Sequence, residues 1–281
     1  MDKKTKYFIQ QTFLHIILIL GSIIFLLPFA WMISTSLKTD LQIEDVSSLT
    51  RILIPNPIQW SNYIKTVHYI DFFRYFWNTT YVTILSIIGT VLSCALVAYS
   101  FARLKWLGKK TLFLILLSTM MLPAQVTMIP VFLIFAKLGW VNSFKPLWVP
   151  AFLGNAFFIF LLRQFFLTIP LDLEDAAKID GCSYFKIFRK IMLPLIRPAL
   201  AAIVIFQFMW AWNDFLNPLI YIHDRKLMTL ALALQSFVNL HGAEWSKLMA
   251  ASTLMTLPVV ILFFLAQKHF IQGITLTGLK G

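Results

Sequence analysis

Four residues in the last third of the chain, Gln207, Trp210, Asp214 and Asn217, stand at i, i+3, i+7 and i+10 within an otherwise apolar run. On a helix that spacing forms one stripe. An indole beside amides and a carboxylate is a set that binds polyhydroxyl rings, the aromatic face taking the apolar CH face and the polar groups bonding hydroxyls. An acid within a membrane helix is costly and usually faces a cavity, which makes Asp214 the sharpest of the four. For Trp210 an aromatic belt at the outer membrane surface is a better fit than a solute path. Asn155, next to Gly154, is a fifth candidate, because a small neighbour lets helices approach and the amide could then reach a solute path. Trp212 and Asn213 project from another face, where helix packing explains them as well as binding does.

A second concentration of chemistry lies between Pro170 and Leu200, where nine charged residues interrupt long apolar runs. Leu173, Ala176 and Ala177 fall at i, i+3 and i+4, so a short helix from Asp172 shows a small apolar face that another surface can approach closely. Gly181 ends that helix, since glycine takes the left-handed cap conformation without a Cβ penalty. Tyr184, Ile187, Phe188 and Ile191 then continue at helical spacing, and Pro194 and Pro198 sit where first turns accept proline. By composition alone this segment suits an amphipathic helix lying on lipid headgroups. Such a helix has no need of the fixed frame seen here: Asp175-Ala176-Ala177, three residues, Gly181, nine residues, then Ile191-Met192-Leu193-Pro194.

The elements that must position these groups belong in a bilayer. Apolar residues make up 59% of the 281 and charged residues 13%, and the mean hydropathy is +0.78, outside the soluble range. Six runs approach the roughly 20 residues that a spanning helix needs: near 13–37, 75–101, 111–135, 147–167, 195–220 and 248–266. The predicted fold is therefore all-α, a single polytopic membrane domain over 1–281, with a cytoplasmic loop at 168–194 and a tail at 267–281. No alternating strand pattern competes, and Pro123 and Pro130 predict kinks in the third helix. Lys3, Lys4 and Lys6 before the first run resemble the start of a signal peptide, but the apolar part is too long and predicts a retained helix.

Basic residues set the topology, because cytoplasmic loops hold the excess of lysine and arginine. The three N-terminal lysines predict a cytoplasmic N-terminus. Arg103, Lys105, Lys109 and Lys110 place the next turn inside as well, whereas the stretch from Lys38 to Asp71, where Lys38, Arg51 and Lys65 are mixed with Asp40, Glu44, Asp45 and Asp71, falls outside. Counting onward, the Asp175 loop and the C-terminus return to the cytoplasm. Orientation accounts for the net charge of +12 without nucleic acid. Cys94 and Cys182 offer no disulfide framework, and the histidines show no metal-ligand spacing. Gly108-Lys109-Lys110-Thr111 lacks the first glycine and the spacing of a phosphate loop, and no line of buried acids forms a proton relay. A nucleophile with its base, or paired intramembrane charges, is likewise missing from the sequence, which argues against a membrane enzyme or a secondary transporter.

The Asp175-to-Pro194 frame resembles the EAA loop of ABC-importer permeases, and the chain is similar over nearly its whole length to the carbohydrate-uptake branch, specifically the smaller maltose-type permease. Ile54-Pro55-Asn56-Pro57 with Trp60, Asn62 and Tyr63, then Asn78-Thr79, Tyr99 to Arg103, Met121-Leu122-Pro123 with Gln125 and Pro130, Gly154-Asn155 with Arg163 to Phe166, Trp212 to Phe215 with Pro218-Leu219, and Gln272 to Thr275 occur in the family's order. The resemblance implies a type I importer permease in the bacterial cytoplasmic (inner) membrane. It implies partners as well: a second permease in a heterodimer, two ATPase subunits carrying ATP and Mg, and an extracellular binding lipoprotein that delivers a sugar. This chain itself would hold no cofactor. The implied ATPase-coupling residues are Glu174, Asp175, Ala176, Ala177, Asp180, Gly181, Ile191, Leu193 and Pro194. A second ATPase contact is implied at Gly273, Gly278, Lys280 and Gly281, where a frayed terminus is an equal reading. The family's glutamate is Asp175 here, with Glu174 before it, so either acid can carry the docking role. No large extra outer domain follows from the pattern, as expected of the smaller subunit. A polyol phosphate is the nearest rival solute, and the acidic, aromatic stripe favours a neutral sugar over it.

Overall fold

The computed structural model describes residues 3–45, 47–239 and 242–278. Its principal helices are α1 (Lys3–Ser36), α2 (Ser61–Tyr69), α3 (Phe72–Arg103), α4 (Lys109–Thr119), α5 (Ala124–Lys137), α6 (Ala156–Thr168), α7 (Asp172–Ile179), α8 (Tyr184–Ile187), α9 (Arg197–Trp212), α10 (Leu216–Tyr221) and α11 (Trp245–Gly278). Two antiparallel two-residue strands, β1 (Val238–Asn239) and β2 (Gly242–Ala243), are the extended elements among the described residues. The all-α reading holds. The chain divides into two compact units, Met1–Phe72 with Leu234–Leu257, and Phe73–Ala233 with Pro258–Gly281.

By length and composition, α1, α3, the stretch Lys145–Thr168 and the Trp245–Gln267 part of α11 can each cross a membrane. Two further spans exist if each bent pair counts as one: α4 with α5, bent by 101°, and Tyr184–Leu195 with α9, bent by 77°. The third span is thus broken, not merely kinked. Pro123 has no N–H to donate and disfavours helix at Leu122, and it becomes the extended residue that caps α5, whereas Pro130 lies inside that helix. The fifth run also differs from the continuous 195–220 helix expected. It stops at Asn213, whose Nδ2 donates to the Met209 carbonyl at 2.8 Å. It restarts at α10, where Asp214 accepts from the Asn217 backbone N–H at 3.2 Å.

The fourth span departs furthest from a plain helix. A turn at Lys145–Trp148 tightens into a 3-10 stretch, Val149–Leu153, and Gly154 turns the chain at φ +91° before α6 begins. Irregular backbone survives in a membrane only where other groups satisfy it. α3 supplies them: Ser93 Oγ donates to the Ala151 carbonyl at 2.9 Å, Ser86 Oγ to the Leu147 carbonyl at 3.3 Å, and the Asn155 N–H points to Cys94 Sγ at 3.3 Å. Gly89 permits that approach, since a Cβ there would lie 2.4 Å from the Phe152 ring.

The core of the second unit packs α3 and α6 against the segment after α7. Tyr99, Phe158, Leu162, Phe166, Ile187, Phe188 and Met192 are buried there, with the Tyr99 ring 5.6 Å from Phe166 and 5.1 Å from Phe188. In the first unit the apolar side chains of α1 are bare from Phe13 to Ile33 at most positions, as a lipid-facing helix requires. Its C-terminal carbonyls, which have no partners within the helix, are met by Asn62, whose Nδ2 donates to Ser36 at 3.0 Å and to Lys38 at 2.7 Å. Ser36 Oγ bonds the Tyr63 hydroxyl at 2.7 Å. The Asn62-Tyr63 pair is therefore a structural tie between α1 and α2. α11 continues as helix through Gly273 to Gly278, beyond the end expected near Ala266, while Lys280 and Gly281 lie outside the described residues.

Candidate functional site

All five candidate solute-path residues, Asn155, Gln207, Trp210, Asp214 and Asn217, line one cleft of about 850 Å³ in the second unit. That volume lies within the usual range for ligand sites. The helix α9 carries Gln207 and Trp210; the break after it places Asp214; α10 brings Asn217 and Tyr221. The irregular stretch from Pro146 to Asn155 forms a further part of the lining, together with Val131, Ile134 and Phe135 of α5 and Thr90 of α3. The uninterrupted helical stripe was not required, since the break keeps all four residues on the cleft.

The geometry assigns these side chains unequal freedom. Trp210 is half-exposed and stacks on the buried Phe158 ring at 4.9 Å and 28°, which holds the indole in one orientation. Asp214 is part-buried, with Oδ2 accepting from Asn217 Nδ2 at 2.8 Å while Oδ1 takes the N–H that opens α10. The pair therefore bonds across the start of α10 and lines the cleft at once. Asn155 caps α6, its Oδ1 accepting from the Phe158 N–H at 3.2 Å. Trp212 is buried, 5.2 Å from Phe208 and 5.7 Å from Phe76, so of its two readings packing is the one seen. Asp214 is the one charged residue among those lining the cleft. Thr90 and Tyr221 were not anticipated; only their hydroxyls within apolar runs could have marked them.

The Asp175 loop folds as a helical turn and a return. α7 ends in a complete Schellman arrangement: the Cys182 N–H reaches the Ala177 carbonyl at 2.9 Å and the Gly181 N–H reaches Lys178 at 3.0 Å, with Gly181 at φ +74°. Asp180 is the exposed residue at the C-terminus of α7. Ser183 then caps α8, a wider π turn spans Phe188–Met192, and Pro194 and Pro198 stand in first turns as their chemistry predicts. The small apolar face is arranged differently from expectation. Ala177 and Glu174 turn inward, while Leu173, Ala176 and Ile179 face out. Ile191 and Leu193 are partly buried against the core, and Pro194 is also half-buried.

The two neighbouring acids are separated by burial. Arg103 Nε and Glu174 Oε1 form an ion pair at 3.3 Å, with side-chain exposures of 2% and 3%. Burial pushes the Glu174 carboxyl above the usual carboxylate range, and the Arg103 guanidinium pulls it partway back. Asp175 stays exposed and accepts from Lys178 at 2.9 Å, a bond that raises the Lys178 ammonium above its ordinary value. Glu174 thus has a basic partner within this chain, and of the two acids Asp175 is the exposed one. Arg103 was read from sequence as a topology signal and as the end of the Tyr99 to Arg103 stretch, without a partner on the Asp175 loop. Its position at the end of a long apolar helix was the available hint of a second role.

Residues 92–276 match the family described as binding-protein-dependent transport system inner membrane component. The chain belongs to this family. It is an inner-membrane component of a transport system, and its part in that system is transport, not catalysis. Among relatives of this transport component, an arabinooligosaccharide transport permease of Halalkalibacterium halodurans is 34% identical over 84% of each chain. A trehalose/maltose transport permease of Thermococcus litoralis is 31% identical over 97% of this chain and 99% of its own. The fold matches a chain from the crystal structure of a bacterial ABC transporter involved in import of the acidic polysaccharide alginate, with a TM-score of 0.82 at 23% identity over 96% of this chain and 99% of that one.

Proposed function

We propose that this transport component is the permease subunit of an ATP-driven ABC importer and forms half of the path for a neutral sugar or oligosaccharide delivered by an extracellular binding protein. The observation that carries the sugar reading is the cleft in which a fixed indole, three amides and a carboxylate meet without a basic residue. Stacking suits the CH face of a pyranose, and the amides and acid suit its hydroxyls. A phosphate ester or uronate would meet Asp214 without a compensating cation, which costs affinity. The relatives named above, which carry arabinooligosaccharides and trehalose or maltose, support the same class.

The drive comes from outside the chain in this reading. Two ATPase subunits with ATP and Mg would dock on the Asp175 loop, through the outward groups Asp175, Ala176, Asp180 and the Gly181 turn, and a second permease would complete the path. Both termini would be cytoplasmic, as the basic residues of the N-terminus and of the Arg103 to Lys110 turn indicate. The deciding experiment extracts the tagged chain gently from its native membrane and identifies what co-purifies, then measures uptake of labelled neutral oligosaccharides against sugar phosphates and uronates. Recovery of a second permease and an ATPase, with uptake of neutral sugars that falls about tenfold in Asp214→Asn, is the expected result. Recovery of the chain alone in stable form, or uptake confined to anionic sugars, overturns it.

A further inference from the structure

We propose that Arg103 is a positioning residue for energy coupling: through Glu174 it fastens α7 to the C-terminal ends of α3 and α6, so that the three move together. This rests on the reading of α7 as the ATPase-docking element. Arg103 closes α3, and its Nη2 donates to the Phe166 carbonyl at 2.6 Å and to the Ile169 carbonyl at the end of α6. Its Nε faces Glu174 on α7. A planar guanidinium can hold donors in these directions at once, which a lysine ammonium on a flexible stem cannot.

Two observations separate this arrangement from a general stabilising contact. Of the eight residues of α7, Glu174 and Ala177 are the buried ones. Without the ion pair, a single methyl group would hold the helix to the core by side-chain burial. Stability by itself does not call for the pair, since buried ion pairs are often replaced by neutral, well-packed groups without loss. Nor can the two groups serve a docking protein directly, being sealed from it at 2% and 3% exposure. What the pair supplies is a buried electrostatic joint between the loop and α3, with the directional hydrogen bonds running from Arg103 Nη2 to the end of α6, at the place where a push on α7 must become a displacement of α3.

The test uses the complete transporter in liposomes and reads solute moved per ATP hydrolysed. The double variant Arg103→Met with Glu174→Gln keeps volume and leaves no unpaired charge. It is expected to assemble with the ATPase and to hydrolyse ATP, while the ratio of transport to hydrolysis falls about tenfold. Arg103→Lys retains the charge without the fork and is expected to show an intermediate ratio, which keeps the test open should the double variant accumulate poorly. A wild-type ratio in either variant overturns the proposal. Failure of the unaltered chain to co-purify with any ATPase is a different failure, that of the docking reading itself.

Discussion

At the residue scale, burial separates acids that the sequence sets side by side. Glu174 and Asp175 differ by one methylene and one position, yet one is sealed against Arg103 and the other faces water with Lys178. Removing one partner of a buried pair strands the other, so Arg103→Met alone is expected to cost about 3–5 kcal/mol, a loss that thermal unfolding in detergent will show, with the added Glu174→Gln change restoring most of it. The pH dependence follows from the raised carboxyl of Glu174. Its folded value exceeds its unfolded one, so its contribution to stability is fully present below the unfolded value and is lost as pH rises through the folded value. Glu174→Gln should flatten that part of an unfolding profile taken across the weakly acidic range; parallel profiles for the two proteins would refute the assignment. In the cleft, Trp210→Ala removes a stacking surface held by Phe158 and is expected to weaken sugar uptake about tenfold, from roughly 1–2 kcal/mol of lost ring contact. Trp212→Phe, two residues on but packed between Phe76 and Phe208, should change stability before it changes solute preference.

At the element scale, the informative features are the interruptions. Three interruptions come where a polar side chain or an irregular turn takes over the backbone's hydrogen bonds: Asp214 before α10, Asn155 before α6, and the Pro123 turn before α5. Two of the three interruptions line the cleft. The match between α3 and the irregular stretch at 149–153 is tight at Gly89, so Gly89→Ala is expected to destabilise by about 1–3 kcal/mol through overpacking. Added Phe152→Leu should recover part of that loss in the same thermal measurement; additive losses would mean that the two residues do not meet. Gly181 is the opposite case, with open space around its Cβ position but a left-handed backbone. Gly181→Ala should therefore cost about 1 kcal/mol through backbone strain alone, with recovery of the ATPase on the tagged chain as the functional readout. The frame Asp175 to Pro194 was legible before the fold because each of its features is local: a cap glycine, a first-turn proline and a helical repeat. The inward turn of Glu174 was not, because it depends on Arg103, some seventy residues earlier.

At the scale of the whole molecule, composition and charge placement already restrict the chain to a membrane, with an expected topology that modification of single introduced cysteines can check. Residues introduced near Lys6 and near Lys110 should react only after the membrane is permeabilised, and one near Glu44 should react from outside; the reverse pattern would overturn the orientation. The six apolar runs were readable from sequence because spanning a bilayer demands length and hydrophobicity, both sums over neighbouring residues. Their continuity was not. Hydropathy does not register a break that keeps its residues apolar, and the bends of 101° and 77° arise from proline chemistry and packing that no window average contains. The candidate path residues were identified by type and spacing, and they do share one cleft, although for a partly different reason than a straight helical stripe. Sequence alone thus determined the class of the molecule, its membrane setting and the local frame of the Asp175 loop, since these rest on composition and short-range spacing. Only the tertiary structure decided which acid is buried, which tryptophan lines the cleft and where the spans break, since these depend on contacts between residues far apart in the chain.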